Sequence, residues 1–331
     1  MSSVIESASN YQNDVQVEVM SQNLYVGANI FRLIAGENPR DVVDTVRQTN
    51  FPERSEQIAS QIGRTEPDLI GLQEVAKIAQ VDANGTKTMD LDYLTTLLQA
   101  LKEQGLSYEV GVTVNNFDGS LTLGQGLTAS ITVRDAILYR TETTDISNPI
   151  GRNYSARAKI PFGSEELTFL RSYTSVDAVV NGGHLRFVNT HFETQNTPCV
   201  VCDDPVVCQE AQVAELVEIL AVETRPVVVV GDLNSEVDEP TYRTLADAGF
   251  DNAWELAGHQ EPAQTCCQIE TVNNEVSQLD QHIDHIVVRA PGARQIQSEV
   301  QILGDSQPDR TRSGLWPSDH AAPYASLAIR Y

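Results

Sequence analysis

Short apolar runs recur along the whole chain, and many of them stop at a polar residue. Runs rich in β-branched and aliphatic residues, such as PDLIGLQEV and PVVVVGDLNSE, predict buried strands that deliver a polar side chain to the edge of a sheet. The residues in this position are Asn23, Glu74, His191, Asp232, Asn234 and Asp284, and the last loop adds Asp319 and His320 in WPSDH. We therefore expect one shared polar site, assembled from the whole length of the chain.

The remaining periodicity predicts helices and strands in alternation. Leucines at helical spacing over 90–104 predict a helix whose apolar stripe packs in the core, and Asn181-Gly182-Gly183 predicts a tight hairpin. Further helices are predicted over 52–64, 209–223 and 240–248. Strands are predicted near 107–114, 128–139, 167–180, 184–191, 227–230, 283–289 and 323–330. This mixture favours two packed sheets flanked by helices.

The polar site offers donor atoms for a hard cation and for proton transfer. Carboxylate and amide oxygens suit Mg²⁺, Mn²⁺ or Ca²⁺ better than zinc, and such a cation polarises a phosphoryl oxygen. His320 paired with Asp284 forms a base held in one tautomer, and His191 can donate a hydrogen bond to a non-bridging oxygen. The set therefore favours hydrolysis at phosphorus.

Five short motifs in a fixed order carry a family resemblance. They are LQE at 72–74, NTH at 189–191, GDLN at 231–234, ID at 283–284 and SDH at 318–320. From about Val17 to the C-terminus the chain resembles the endonuclease/exonuclease/phosphatase superfamily. That superfamily includes pancreatic-type deoxyribonucleases, apurinic endonucleases, sphingomyelinases and inositol polyphosphate 5-phosphatases. The resemblance implies an α/β fold, a four-layer α/β/β/α sandwich of two packed mixed sheets flanked by helices. The histidine of NTH is typical of the branches other than the apurinic endonucleases.

Taken residue by residue, the resemblance implies a role for each of these polar residues. Glu74 becomes the principal ligand of a Mg²⁺ ion, with Asn23 and Asp319 as further metal contacts. Asp232 orients the attacking water, and Asn234 holds a phosphate oxygen. The full catalytic set that it implies is His191, Asp232, Asn234, Asp284 and His320.

Length and composition favour a single catalytic domain. The stations span so much of the 331 residues that dividing the chain would divide the site, so we expect a polar leader over 1–16 and one domain over 17–331. No run approaches the roughly 20 apolar residues of a membrane span, and no signal peptide is visible. We expect a monomer.

The charge of the chain bears on its partners. With 46 acidic residues against 22 basic ones, the net charge is −24, and such a field repels polyanions at long range. A local patch of Arg152, Arg157, Lys159 and Arg171 is the sequence's candidate for reversing that potential inside a cleft.

The five cysteines fall in two groups. Cys199, Cys202 and Cys208 follow the NTH strand, and Cys266 and Cys267 are adjacent. Their spacing fits disulfides better than a zinc site, and disulfides would favour a secreted or otherwise oxidising location.

The substrate stays open at this point. A phosphodiesterase or nuclease is expected, with a sphingomyelinase-like phospholipid phosphodiesterase or an inositol-phosphate-type phosphatase as the alternatives. The partner is accordingly a phosphodiester in a nucleic acid, a phospholipid or a small molecule. Trp316, close to His320, is either a substrate platform or core packing. A binding module without catalysis is disfavoured because every catalytic station is filled.

Overall fold

The computed structural model describes residues 13–162, 165–201 and 204–331. Its helices are α1 (Phe31–Ile34), α2 (Pro39–Gln48), α3 (Phe51–Thr65), α4 (Tyr93–Glu103), α5 (Cys208–Leu220), α6 (Pro240–Asp247) and α7 (Ala253–Leu256). Its strands are β1 (Val15–Asn23), β2 (Leu69–Val81), β3 (Lys87–Asp92), β4 (Tyr108–Gly124), β5 (Leu127–Arg140), β6 (Thr144–Asn153), β7 (Arg157–Phe162), β8 (Glu165–Phe169), β9 (Ser172–Val180), β10 (Gly183–His191), β11 (Pro198–Val201), β12 (Asp204–Val207), β13 (Val227–Asp232), β14 (Asp251–Asn252), β15 (Asp284–Arg289), β16 (Gln295–Leu303) and β17 (Ala322–Arg330).

Two large mixed sheets form the centre of the molecule. The first has the strand order β16-β17-β1-β2-β5-β4, with β3 paired to β2, and the second has the order β14-β15-β13-β10-β9-β6. Each contains one parallel pair, β1 with β2 and β10 with β13. A smaller sheet, β12-β11-β7-β8, lies apart from them in the pairing.

Three apolar clusters order the layers. Val17, Leu185 and Val228 belong to the cluster between the two large sheets, and all three are fully buried. Ile58 of α3 and Leu97 of α4 pack on the outer face of the first sheet. Val213 and Leu216 of α5 pack with Val188 and Val229 on the outer face of the second. The predicted four-layer α/β/β/α sandwich of two mixed sheets flanked by helices is therefore confirmed.

Most predicted elements are present, with shifted ends. The hairpin joins β9 to β10, with Asn181 and Gly182 both at positive φ, the conformation that a tight two-residue turn requires. The predicted strand over 167–180 was wrong as one unit, because it divides into β8 in the small sheet and β9 in a large one. The predicted helix over 90–104 begins only at Tyr93, since residues up to Asp92 pair as β3 and Asp92 then caps the helix. Strand β16 was not predicted from the sequence.

Candidate active site

Strand pairing brings the predicted stations to one edge. His191 pairs in register with Asp232 across the parallel β10–β13 ladder, and Asp232 pairs with Asp284 across the antiparallel β13–β15 ladder. The carboxyl ends of β10 and β13 and the amino end of β15 therefore meet. Asn23, at the end of β1 in the other sheet, faces them and donates from Nδ2 to Asp232 Oδ2 at 3.1 Å. Both large sheets contribute to the site.

Glu74 reaches the site by a different route from the predicted one. It does not end a strand, because β2 continues to Val81. It lies instead in an irregularity of the β2–β5 pairing between Leu72 and Val75, with φ at 56°. A bulge of this kind re-aims one side chain without ending the strand. The carboxylate accepts a hydrogen bond from the Val26 backbone N–H at 2.9 Å.

His320 and Asp284 form the expected pair. His320 Nδ1 lies 2.8 Å from Asp284 Oδ2, and both side chains are buried. Burial alone would lower the pKa of His320, but the negative charges of Asp284, Asp319 and Asp232 outweigh it and hold the pKa well above its ordinary value. The three carboxylates therefore favour the protonated form of the His320 ring.

Asp232 occupies the centre of the site. Its Oδ2 lies 3.4 Å from His191 Nε2 and 3.9 Å from His320 Nε2, and its Oδ1 accepts from the Asn234 backbone N–H at 2.9 Å. The last contact forms an Asx turn directly after β13. Burial, and then the charge of Asp284, raise the pKa of Asp232 to about 6. The Asn234 side chain donates to the Phe192 carbonyl at 3.0 Å.

The Arg171 side chain holds His191 in place. The sequence analysis placed this arginine only in a general basic patch. Arg171 Nη1 lies 2.7 Å from His191 Nε2, and Arg171 Nη2 is paired with Glu193 at 2.9 Å. Burial, and then the charge of Arg171, keep the pKa of His191 well below its ordinary value, so this ring is neutral. The pKa values of the two histidines of the site are thus shifted in opposite directions.

The remaining residues of the motifs form hydrogen bonds that hold the two sheets together. Gln73 of LQE donates to Asn189 of NTH at 2.6 Å, and Asn189 donates to the Leu72 and Ala136 carbonyls. Ser318 of SDH donates to the Asn23 carbonyl at 2.7 Å. These residues are buried, and their hydrogen bonds fix the strand ends that carry the reactive side chains.

A guanidinium that the sequence analysis did not identify supports the same loops. Arg54 of α3 is fully buried and donates to the carbonyls of Leu24, Tyr25 and Pro317 at 2.8–3.1 Å. Helix α3 is thereby bound to the end of β1 and to the loop that carries Asp319. A charged residue within a predicted amphipathic helix gave no signal of this role.

The carboxylates fit a hard cation. Glu74 and Asp319 line the same cavity of about 330 Å³, together with Arg171 and His191. Burial raises the pKa of Asp319 to about 7, and the charge of Glu74 contributes to that rise against the opposing effect of His320. A divalent cation held by both carboxylates would neutralise the charge that contributes to the raised pKa of Asp319. Asn23 Oδ1 already accepts from the Tyr25 backbone N–H at 2.9 Å, so its metal contact stays a prediction. In the part of the chain that the structure describes, Asp232, Asp284 and His320 also bring ligand atoms within 4.8 Å of one another.

One wall of this cavity is aromatic. The rings of Phe117 and Phe169 stack with centroids 4.7 Å apart, and Phe31 lies 5.5 Å from Phe169 with 43% of its surface exposed. Phe117, Phe169 and Ile30 also line a second cavity of about 160 Å³, whose other walls are largely aliphatic. The reactive site therefore opens onto an apolar groove. Three aromatic residues from separate elements gave no sequence signal.

Other candidates lie away from the reactive groups. Trp316 is completely buried and donates to the Asn274 carbonyl, so it is core packing and not a substrate platform. Of the predicted basic patch, Arg171 alone lines the cavity among the described residues. His282 is buried beside Trp254, and His285 bonds the Ser235 carbonyl as a structural residue. No helix in the described part of the chain is long and apolar enough to span a membrane.

Comparisons with known proteins identify the family and support the fold. The model of the Endonuclease/Exonuclease/phosphatase family matches residues 20–320. An endonuclease/exonuclease/phosphatase from Bacteroides vulgatus has 19% identity, a TM-score of 0.58 and coverage of 96% of this chain and 100% of its own. A mannosyl-6-phosphatase from Bacteroides thetaiotaomicron has 18% identity and a TM-score of 0.56, over 94% and 99% of the two chains. A truncated Caenorhabditis elegans TDP2 has 21% identity and a TM-score of 0.52, over 94% and 97%. No curated protein matches the sequence.

The chain belongs to the endonuclease/exonuclease/phosphatase family. The family resemblance predicted from the motifs is confirmed, and with it the class of reaction, hydrolysis of a phosphoric ester. The solved structures share the fold at low identity, so the choice of ester must be argued from this chain's own cavity.

Proposed function

We propose that the protein is a divalent-metal-dependent phosphodiesterase whose preferred esters carry an apolar or aromatic substituent. The proposal rests on an aromatic wall that two neighbouring cavities share. Phe117 and Phe169 line both the cavity that contains Glu74, His191 and Asp319 and the apolar cavity beside it. A phosphorus atom at the first cavity would place one ester substituent in the second.

The side chains divide the chemistry among them. Glu74 and Asp319 would hold Mg²⁺, with Mn²⁺ or Ca²⁺ as alternatives, and the cation would polarise the phosphoryl oxygen and neutralise developing charge. Asp232 orients the attacking water, and His320 takes its proton at Nε2 while Asp284 holds Nδ1. Arg171 binds non-bridging oxygens, and His191, whose Nε2 accepts from Arg171, holds that guanidinium in place.

The charge of the chain argues against long nucleic acids. The net charge is −24, and Arg171 is the only lysine or arginine among the described residues that line the cavity. A polyanion gains its affinity from many phosphate contacts, which this cavity does not offer. A nuclease acting on short single strands is the second candidate, and the stacked Phe117–Phe169 pair supports it because nucleobases stack on aromatic rings.

The test compares two diesters with the same leaving group. p-Nitrophenyl phenyl phosphate and p-nitrophenyl methyl phosphate differ only in the retained substituent. Burying a phenyl ring contributes about 1.5–3 kcal/mol, so we expect kcat/KM for the phenyl ester to be roughly 10- to 150-fold higher. Phe169→Ala should remove most of that preference, whereas Val222→Ala, at an exposed apolar residue outside the cavity, should keep it.

A parallel panel separates the alternatives. It contains p-nitrophenyl phosphate, a short single-stranded oligonucleotide, plasmid DNA, sphingomyelin vesicles and an inositol polyphosphate. We expect the diesters to react faster than the monoester and plasmid DNA to react slowly. Preferential turnover of p-nitrophenyl phosphate or of the inositol polyphosphate would overturn the diesterase proposal. Equal rates for the phenyl and methyl esters would overturn the apolar-substituent part.

A further inference from the structure

A pair of cysteines lies against the reactive histidine. Cys266 Sγ is 3.4 Å from His320 Nε2, the nitrogen opposite the one held by Asp284. Cys266 is buried and bonded to its neighbour Cys267, which is exposed. None of the chemistry above uses a thiol.

The backbone fixes this arrangement from both sides. Cys266 forms isolated bridges with Gln281 and with His320. The Thr265 carbonyl accepts from the Ala321 N–H at 2.7 Å, and the Asp319 carbonyl accepts from the Gln268 N–H at 2.9 Å. The two segments, 54 residues apart in sequence, are therefore joined on either side of the contact. The position of Cys266 Sγ over the imidazole is built into the fold.

The donor set has the composition of a zinc site. The ligand atoms of Cys266, Cys267 and His320 all lie within 4.8 Å of one another. With zinc–sulfur and zinc–nitrogen bonds of about 2.3 and 2.1 Å, tetrahedral coordination separates sulfur from nitrogen by about 3.6 Å. The observed 3.4 Å is close to that value. Asp284 on His320 Nδ1 supplies the carboxylate that orients a zinc-binding imidazole in many proteins.

We propose that the reduced Cys266–Cys267 pair and His320 form a site for a thiophilic divalent cation such as Zn²⁺, and that a cation bound there blocks the enzyme. A dithiol reductant transfers two electrons and two protons to the disulfide and is itself oxidised to a disulfide. The cation then displaces the two thiol protons and the proton on His320 Nε2, and it binds the two thiolates and that nitrogen. The blocking effect rests on the proposed function, in which the same Nε2 takes the proton from water.

Metal binding is measured separately from activity. Co²⁺ is added to the reduced protein, and thiolate-to-cobalt charge-transfer absorption reports cysteine ligands. We expect this absorption in the reduced wild type, its loss on reoxidation, and at least tenfold weaker binding in Cys267→Ser, whose exposed side chain makes misfolding a minor concern. Cys199→Ser, which removes a cysteine of the other group, should bind like the wild type. Equal absorption in wild type and Cys267→Ser, or none in either, would overturn the site.

Inhibition is measured on the same samples with a Mg²⁺-supported diester assay. Zn²⁺ should inhibit the reduced wild type at concentrations at least tenfold lower than those needed for the oxidised protein or for Cys267→Ser. Zinc inhibition that is the same in all samples and relieved by excess Mg²⁺ would place zinc on the carboxylates and contradict the blocking role. If no substrate is turned over, the proposed function fails, while the cobalt spectrum still decides the metal site.

Discussion

Replacing Asp284 by asparagine tests whether His320, oriented by Asp284, takes the proton from the attacking water. The Asp284–His320 hydrogen bond is 2.8 Å long and buried, with 1% and 8% of the two side chains exposed. A hydrogen bond to a charged partner contributes about 1.5–3 kcal/mol. At about 1.36 kcal/mol per pKa unit, its loss should lower the pKa of His320 by about one to two units. We expect kcat to fall roughly 10- to 150-fold, because the ring also loses its fixed orientation.

The pH profile gives the direction of the effect. A base must be neutral to act, so kcat/KM should rise with pH through the pKa of His320. In Asp284→Asn this rising limb should move to lower pH by the same one to two units, measured as turnover of a diester at saturating Mg²⁺ over pH 5–10. A falling limb assigned to His320 would make it an acid and would leave Asp232, with its pKa of about 6, as the base.

Two further measurements accompany this variant. His320→Ala should lose ~10²- to 10⁴-fold in rate, and the double variant should be no worse, since the two residues act as one unit. Losses that multiply would refute the cooperation. Because the pKa of His320 is raised on folding, its stabilisation is fully present below about pH 6.5 and is lost as pH rises through the raised value. The stability difference between wild type and Asp284→Asn should therefore shrink as pH rises.

Three predictions concern the framework of the site. Gly231→Ala should destabilise the protein by more than about 4 kcal/mol in urea unfolding, because its Cβ would lie 1.9 Å from the Thr190 carbonyl oxygen. Arg54→Met should cost at least about 3 kcal/mol in the same measurement, since each buried carbonyl left without a donor costs about 1–3 kcal/mol. If the protein resides in an oxidising compartment, the Cys199–Cys208 and Cys266–Cys267 disulfides should leave one titratable thiol in denatured, unreduced protein.

Matched controls and contrary results are available for each. Gly36→Ala places its Cβ in open space and should cost only about 1–2 kcal/mol, despite a positive φ. Arg243→Met removes an exposed arginine on α6 and should cost under about 1 kcal/mol. Equal losses within either pair would contradict the packing argument. The remaining thiol is that of Cys202, which lies outside the described residues, and five titratable thiols would remove the support for an oxidising location.

The structure brings the predicted polar residues to one edge, but Glu74 arrives there by a route that the sequence did not predict. His191 and Asp232 end continuous apolar runs, and parallel pairing of β10 and β13 then brings them together without further information. Glu74 was wrongly placed at a strand end, because β2 continues past it and the bulge that re-aims it depends on pairing with β5. Local periodicity contains no signal for such an irregularity.

Features made by distant segments could not be predicted. Phe117 and Phe169 meet because β8 lies outside the large sheets, and no local pattern indicated that separation. Cys266 approaches His320 across a 54-residue separation, through bridges between irregular segments. The cysteines were recognised as a disulfide candidate, but their position beside the reactive histidine depends on tertiary structure.

We propose that Glu74 is a ligand of the catalytic cation. Activity measured as a function of the free Mg²⁺ concentration tests this role. Glu74→Gln keeps the size of the side chain and removes its charge, so we expect turnover to fall by orders of magnitude and the Mg²⁺ concentration for half-maximal activity to rise. Glu103→Gln, an exposed change on α4, should match the wild type, and EDTA should abolish activity in every variant. Full activity of Glu74→Gln at the wild-type Mg²⁺ requirement, or turnover that persists in EDTA, would contradict the account.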